Sequence, residues 1–69
     1  MSNYTSVETA FMWVDNLLIN LHEVESFREE LHSDEGVKYP VVVISYKSGR
    51  HIEIRRTLSS IRQILETRL

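Results

Sequence analysis

The sequence predicts an α+β domain in which a long N-terminal helix and a short C-terminal helix pack on a two-stranded antiparallel hairpin. Two apolar runs within residues 39–56 are rich in β-branched side chains and are separated by a glycine-containing turn. Apolar residues before this hairpin, and again after it, follow helical spacing. A chain of 69 residues can build one hydrophobic core. We therefore expect a single domain over residues 1–69.

The first helix is predicted from a start signal, a periodic stripe and an end signal. Residues 5–8 (TSVE) have the capping-box form, and no glycine or proline follows until Gly36. A helix of about 26 residues, roughly 39 Å long, is therefore allowed. Gly36 suits its end because glycine adopts the left-handed conformation common there. The apolar heptad positions are Val7, Ala10, Val14, Leu17, Leu21, Val24 and Leu31.

A second interpretation of the same stretch ends the helix near Asn20. Part of residues 23–32 then forms a third strand beside the hairpin, because residues 22–27 alternate loosely between apolar and polar. Four acidic residues after position 22 favour helix over strand by propensity. An αβββα order with a three-stranded meander stays as the alternative.

The central hairpin is predicted to close through a three-residue loop at 47–49, with Gly49 left-handed and forming a bulge. A two-residue turn at 48–49 would shift the pairing by one residue. The first register is preferred because it places the aliphatic residues of the second strand on one face with those of the first. Its pairs are Tyr46 with Arg50, Ile44 with Ile52, and Val42 with Ile54.

The last helix is predicted to begin after Thr57, a good N-cap residue. Its apolar residues recur at helical spacing and form one stripe. They are Leu58, Ile61, Ile64, Leu65 and Leu69.

Self-association is expected because the predicted first helix is apolar on more than one side. A helix of that kind must be covered on both sides, and a second copy of the chain is the simplest cover. The sequence therefore predicts a homodimer. The expected interface residues are Trp13, Leu17, Leu21, Val24, Phe27 and Leu31.

Enzymatic and metal-binding motifs are weak in this sequence. Glu29-x-x-His32 has the spacing used in carboxylate-bridged metal sites, but the last helix offers only Glu66 as a further carboxylate. Two glycines cannot build a phosphate-binding loop or a dinucleotide fingerprint, and no serine lies in a nucleophile elbow. We expect no enzyme, no metal site and no cofactor.

The charge distribution provides the strongest functional signal. Residues 1–37 carry a net charge of −7 and residues 38–69 a net charge of +5. The acidic half can lie against the basic half, or the basic half can bind nucleic acid. The predicted binding residues, on or beside the hairpin, are Lys47, Arg50, His51, Arg55 and Arg56.

The function predicted from these observations is that of a small non-enzymatic adaptor or inhibitor that docks on a protein as a homodimer. Nucleic-acid binding is the alternative, disfavoured by the overall charge of −2. No stretch is apolar enough to span a membrane. The chain has no cysteine, which fits a cytoplasmic location.

Overall fold

Five strands and one α-helix make up the part of the chain that the computed structural model describes, residues 10–67. One antiparallel sheet contains β1 and β2, and the other has the order β3-β4-β5. A 3-10 turn at Leu21–Glu23 separates the two sheets along the chain. The remaining elements are β1 (Phe11–Val14), β2 (Leu17–Asn20), β3 (Val24–Asp34), β4 (Val37–Tyr46), β5 (His51–Ile54) and α1 (Leu58–Thr67).

The long N-terminal helix predicted from the heptad spacing is wrong over the described residues. Met12 and Val14 are buried while Trp13 between them is exposed, which is the alternation of a strand. The chain reverses at Asp15, whose φ of 55° is left-handed. A short polar side chain tolerates this conformation better than most. The predicted capping box at residues 5–8 lies outside the described residues.

The second half of the predicted helix is β3. A three-stranded meander is present over β3, β4 and β5, as in the alternative interpretation, but that interpretation also placed a helix before it and is wrong there. Glu35 (φ 52°) and Gly36 (φ 82°) are both left-handed. They form the two-residue turn that joins β3 to β4, with Asp34 and Val37 paired at its base. Gly36 is thus left-handed as expected, but in a hairpin rather than at a helix end.

The predicted register of the β4–β5 hairpin is confirmed. Ile44 pairs with Ile52 and Val42 with Ile54. The Tyr46 N–H donates to the Arg50 carbonyl at 2.8 Å, and Gly49 is left-handed at φ 94°. The three-residue loop with a glycine bulge therefore sets the pairing of these strands.

The three-stranded sheet has two distinct faces. Its core face carries Val42, Ile44 and Ile54, which pack with residues from the β1–β2 hairpin and with Ile61 of α1. Its outer face carries Val41 and Val43, also buried. The fully buried side chains of the core cluster are Met12, Val14, Ile19, Val42, Ile44 and Ile61.

Helix α1 begins as the sequence predicts, after Thr57. The Thr57 Oγ1 accepts from the Ser60 N–H at 3.1 Å. A second acceptor comes from the sheet, because the Glu29 carboxylate accepts from the Leu58 N–H at 2.6 Å. Two of the N–H groups at the helix N-terminus are thereby satisfied, and the negative charge of Glu29 is favourable there.

The residues predicted for a dimer interface do not form the expected helical seam. Trp13 is 62% exposed on β1 and Leu31 is 67% exposed near the far end of β3. Leu21, Val24 and Phe27 instead pack partly against the core of their own subunit. The helical seam is therefore wrong, whereas self-association stays a prediction.

Candidate functional site

A groove of about 420 Å³ lies between the end of the β1–β2 hairpin and the β4–β5 hairpin. It is lined by residues of β2, the 3-10 turn, the end of β4, the β4–β5 loop and the start of β5. Both apolar and polar side chains face it, including two basic ones. The lining residues are Leu18, Asn20, Glu23, Tyr46, Ser48, Arg50, His51 and Ile52.

Main-chain hydrogen bonds hold the two walls of this groove in place. The Lys47 N–H donates to the Glu23 carbonyl at 2.9 Å, which ties the β4–β5 loop to the 3-10 turn. The Gly49 N–H donates to the Tyr46 carbonyl at 2.9 Å and closes the loop itself. Asn20 caps the 3-10 turn, its Oδ1 accepting from the His22 N–H at 3.1 Å. The groove is therefore built on backbone that these hydrogen bonds hold in place.

The charge at the groove comes mainly from the β4–β5 loop. Among residues 10–67, neither Lys47 nor Arg50 forms an ion pair with a carboxylate. Glu23 provides the one acidic side chain of the lining. His51 Nε2 lies 3.9 Å from the Glu53 carboxylate, at the limit of an ion pair. An anionic group entering the groove would meet an available guanidinium.

The other two predicted basic residues lie elsewhere. The Arg55 guanidinium stacks over the Tyr39 ring, 3.7 Å from its centroid. Arg56 binds Asp15 at 2.7 Å and joins the β1–β2 turn to the segment before α1. The hydrogen bond from Arg56 lowers the pKa of Asp15, and the same bond raises the pKa of Arg56. Of the five predicted residues, only Lys47, Arg50 and His51 are gathered at the groove or its loop.

A separate polar network occupies β3 and the outer face of the sheet. Glu30 accepts from Arg28 at 2.9 Å and contacts His32 Nε2 at 3.0 Å. The hydrogen bond with His32, followed by that with Arg28, lowers the pKa of Glu30. Glu29 and His32 lie on opposite faces of β3, so the Glu-x-x-His spacing does not bring them together. No group of three metal-ligating side chains occurs in residues 10–67.

The apolar side of the groove continues onto the exposed face of the β1–β2 hairpin. Leu18 lines the groove and is also the cross-strand neighbour of Trp13. Both side chains are more than half exposed. Sequence reasoning did not place Leu18 or Asn20 with Arg50, because that proximity depends on the chain reversal at Asp15. The polar pair at residues 15–16 was the available signal for it.

Comparison with protein-family models, with curated proteins and with solved structures found no match. Within residues 10–67, neither α1 nor the 3-10 turn has the length and hydropathy of a membrane-crossing helix.

Proposed function

We propose that this protein is a small non-enzymatic binding module that acts as an adaptor or inhibitor. It docks an extended, acidic segment of a protein partner in the groove between β2 and the β4–β5 hairpin. The proposal rests on the position and charge of Arg50. This residue lines the groove and has no carboxylate partner among residues 10–67. A charge-assisted hydrogen bond to Arg50 would orient an acidic residue of the bound segment.

The backbone of β5 supports an extended ligand. Ile52 and Ile54 pair with Ile44 and Val42 of β4, and they alternate along β5 with His51 and Glu53. The Tyr46–Arg50 hydrogen bond makes Ile52 and Ile54 the residues of β5 that are hydrogen-bonded to β4. The N–H and C=O groups of His51 and Glu53 therefore point away from β4. No other strand of the described chain pairs with this edge. A peptide strand added there would place alternate side chains in the groove.

The apolar surface next to the groove enlarges the contact beyond what a small anion needs. Trp13 and Leu18 extend the lining onto the outside of the β1–β2 hairpin. Tryptophan is over-represented among residues that dominate binding energy. This continuity favours a peptide segment, with an acidic residue at Arg50 and an apolar residue against Trp13.

The distribution of basic residues favours a protein partner over nucleic acid. Arg55 stacks on Tyr39 and Arg56 is paired with Asp15, so the five predicted basic residues do not form one continuous phosphate-binding track. The β3–β4 ribbon also carries four acidic residues against two basic ones between positions 28 and 40. Such a ribbon would be repelled by a phosphate backbone. We also propose a cytoplasmic location, supported by the lack of cysteine.

Titration with synthetic peptides tests the groove. The probes are twelve-residue peptides with the repeat Leu-Thr-Glu-Thr, which places leucine and glutamate in turn on one face of a strand, and matched peptides with lysine in place of glutamate. Trp13 is the single tryptophan of the chain, so its emission reports binding at the adjacent surface. We expect the acidic peptide to shift the Trp13 emission and the basic peptide to bind more weakly. Arg50→Glu should weaken the acidic peptide by about tenfold, equivalent to about 1.4 kcal/mol.

The matched control is Arg62→Glu, which makes the same charge change on an exposed position of α1. It should bind the acidic peptide as the wild type does. Equal binding of both peptides, equal loss in both variants, or no response at millimolar peptide would contradict the proposal. A single-stranded oligonucleotide that binds with a steep salt dependence would instead support the nucleic-acid alternative.

A further inference from the structure

Strand β3 presents a long edge that no other strand within residues 10–67 covers. The sheet order β3-β4-β5 places β3 at the opposite edge from β5 and its groove. The two-residue turn makes Asp34 and Val37 a hydrogen-bonded pair. From there, non-hydrogen-bonded and hydrogen-bonded pairs alternate along β3 and β4. The N–H and C=O groups of Phe27, Glu29 and Leu31 therefore point away from β4. This edge is a template for another strand.

We propose that two copies of this chain associate by antiparallel pairing of their β3 strands about a two-fold axis at Glu29, forming one continuous six-stranded sheet. The three outward-pointing residues of each copy would pair with those of the other and make roughly six main-chain hydrogen bonds. The contact is isologous, because the same strand is used by both copies. It leaves the groove at β5 accessible and does not depend on the function proposed for it.

Side-chain complementarity favours this register over its two neighbours. Residues that lie opposite each other in antiparallel strands have their side chains on the same face of the sheet. The two-fold axis must therefore set one residue of β3 opposite the same residue of the second copy. With the axis at Glu29, Phe27 faces Leu31 of the second copy and Arg28 faces Glu30 of the second copy, each twice. Leu31, which is 67% exposed in the single subunit, gains an aromatic neighbour. Both opposite-charge pairs reproduce between copies the attraction that Arg28 and Glu30 already show within one.

The two neighbouring registers pair side chains that do not complement each other. An axis at Arg28 sets the two Arg28 side chains against each other and places Phe27 opposite Glu29. An axis at Glu30 sets the two Glu30 side chains against each other and places Leu31 opposite Glu29. Like charges directly opposite are destabilising, and an apolar residue opposite a carboxylate gains little. Neither register covers Leu31 with an apolar side chain.

The chosen register brings the two Glu29 residues opposite each other. Each carboxylate is drawn toward its own α1, where it accepts from the Leu58 N–H at 2.6 Å. The positive end of the helix dipole offsets part of the repulsion between them. Charged residues on an edge strand commonly prevent pairing between molecules. Here the order of Arg28, Glu29 and Glu30 makes the pairs on either side of the axis attractive, whereas the two neighbouring registers set like charges opposite each other. The two-fold pairing uses one edge of each copy and therefore forms a closed pair.

Charge complementation tests the proposal. Arg28→Glu alone places glutamate opposite glutamate, and Glu30→Arg alone places arginine opposite arginine. Both variants should shift from dimer toward monomer in light scattering coupled to gel filtration, with a dissociation constant raised at least about tenfold. An equimolar mixture should recover the dimer, because both cross-copy pairs between positions 28 and 30 are then of opposite sign. Rescue by mixing cannot arise from ion pairs within one chain.

The control Arg62→Glu should dimerise as the wild type does. A wild-type chain that is monomeric at hundreds of micromolar would overturn the proposal. Equal weakening by Arg62→Glu, single variants as dimeric as the wild type, or a mixture that stays monomeric would overturn it as well. Circular dichroism of each variant verifies that it is folded.

Disulfide trapping provides a second measurement that does not alter Arg28 or Glu30. The chain has no cysteine, so a single cysteine can be placed cleanly. Ser26 faces His32 of the second copy in this register. Ser26→Cys mixed with His32→Cys should therefore form a mixed disulfide within the expected Cβ distance. Each variant alone holds its two thiols roughly 20 Å apart and should not link. Equal linking in the single variants would overturn the register.

Discussion

Truncation of Met12 and of its neighbour Trp13 should affect stability very differently. Met12 is 1% exposed and points into the core, whereas Trp13 is 62% exposed on the other face of β1. Met12→Ala removes about 90 Å² of buried apolar surface, worth about 2 kcal/mol at 25 cal/mol per Å². A remaining cavity of about 60 Å³ adds about 1.5 kcal/mol. The expected loss is therefore about 3–4 kcal/mol.

This loss is large for a chain of this size, whose total free energy of unfolding we expect to be about 3–10 kcal/mol. Trp13→Ala removes a mostly exposed side chain whose cross-strand neighbour is Leu18, and should cost at most about 1 kcal/mol. Urea titration followed by circular dichroism measures both values, because the far-ultraviolet signal does not require the tryptophan. Equal losses, or a larger loss for Trp13→Ala, would refute the strand alternation of β1.

The remaining predictions concern single interactions. Gly36→Ala should lower the free energy of unfolding by about 1 kcal/mol in thermal unfolding, because the left-handed φ of 82° disfavours a Cβ while nothing lies within 4 Å of it. Thr57→Ala should cost about 1 kcal/mol in urea titration, because it removes the side-chain oxygen that accepts from the Ser60 N–H. Asp15→Asn should remove a pH-dependent contribution. Since Arg56 lowers the pKa of Asp15 in the folded state, that contribution is present above the ordinary value near 4 and is lost as the pH falls through the folded value. The stability difference between wild type and Asp15→Asn should thus vanish in strong acid, and a difference that persists there would contradict this explanation.

The β4–β5 hairpin and α1 could be predicted because local chemistry decides them. Gly49 is one of two glycines and fits the left-handed position of a three-residue loop, which in turn sets the pairing of Ile44 with Ile52. Thr57 is an N-cap by residue type and caps α1 in the structure. Each signal acts within a few residues, where sequence spacing and spatial distance agree.

The first half of the chain could not be predicted because its apolar residues fit both the spacing of a helix and the alternation of a strand. β1 has apolar residues at both buried and exposed positions, so Met12 and Val14 do not stand out from Trp13, and the alternation is hidden. Acidic residues in β3 favour helix by propensity, but tertiary pairing with β4 overrides that preference. The groove depends on this fold and was found only in part, through Arg50 and His51.

Strand β4 has a further consequence for the unfolded chain. Residues 41–44, four consecutive β-branched side chains, are shielded on both faces in the native state. Before the surrounding elements assemble, the same segment is uncharged and well suited to intermolecular aggregation. Lys38, Pro40 and Lys47 flank it, and charge and proline at such places oppose aggregation. Replacing these flanking residues should therefore reduce the yield of refolding before it changes equilibrium stability.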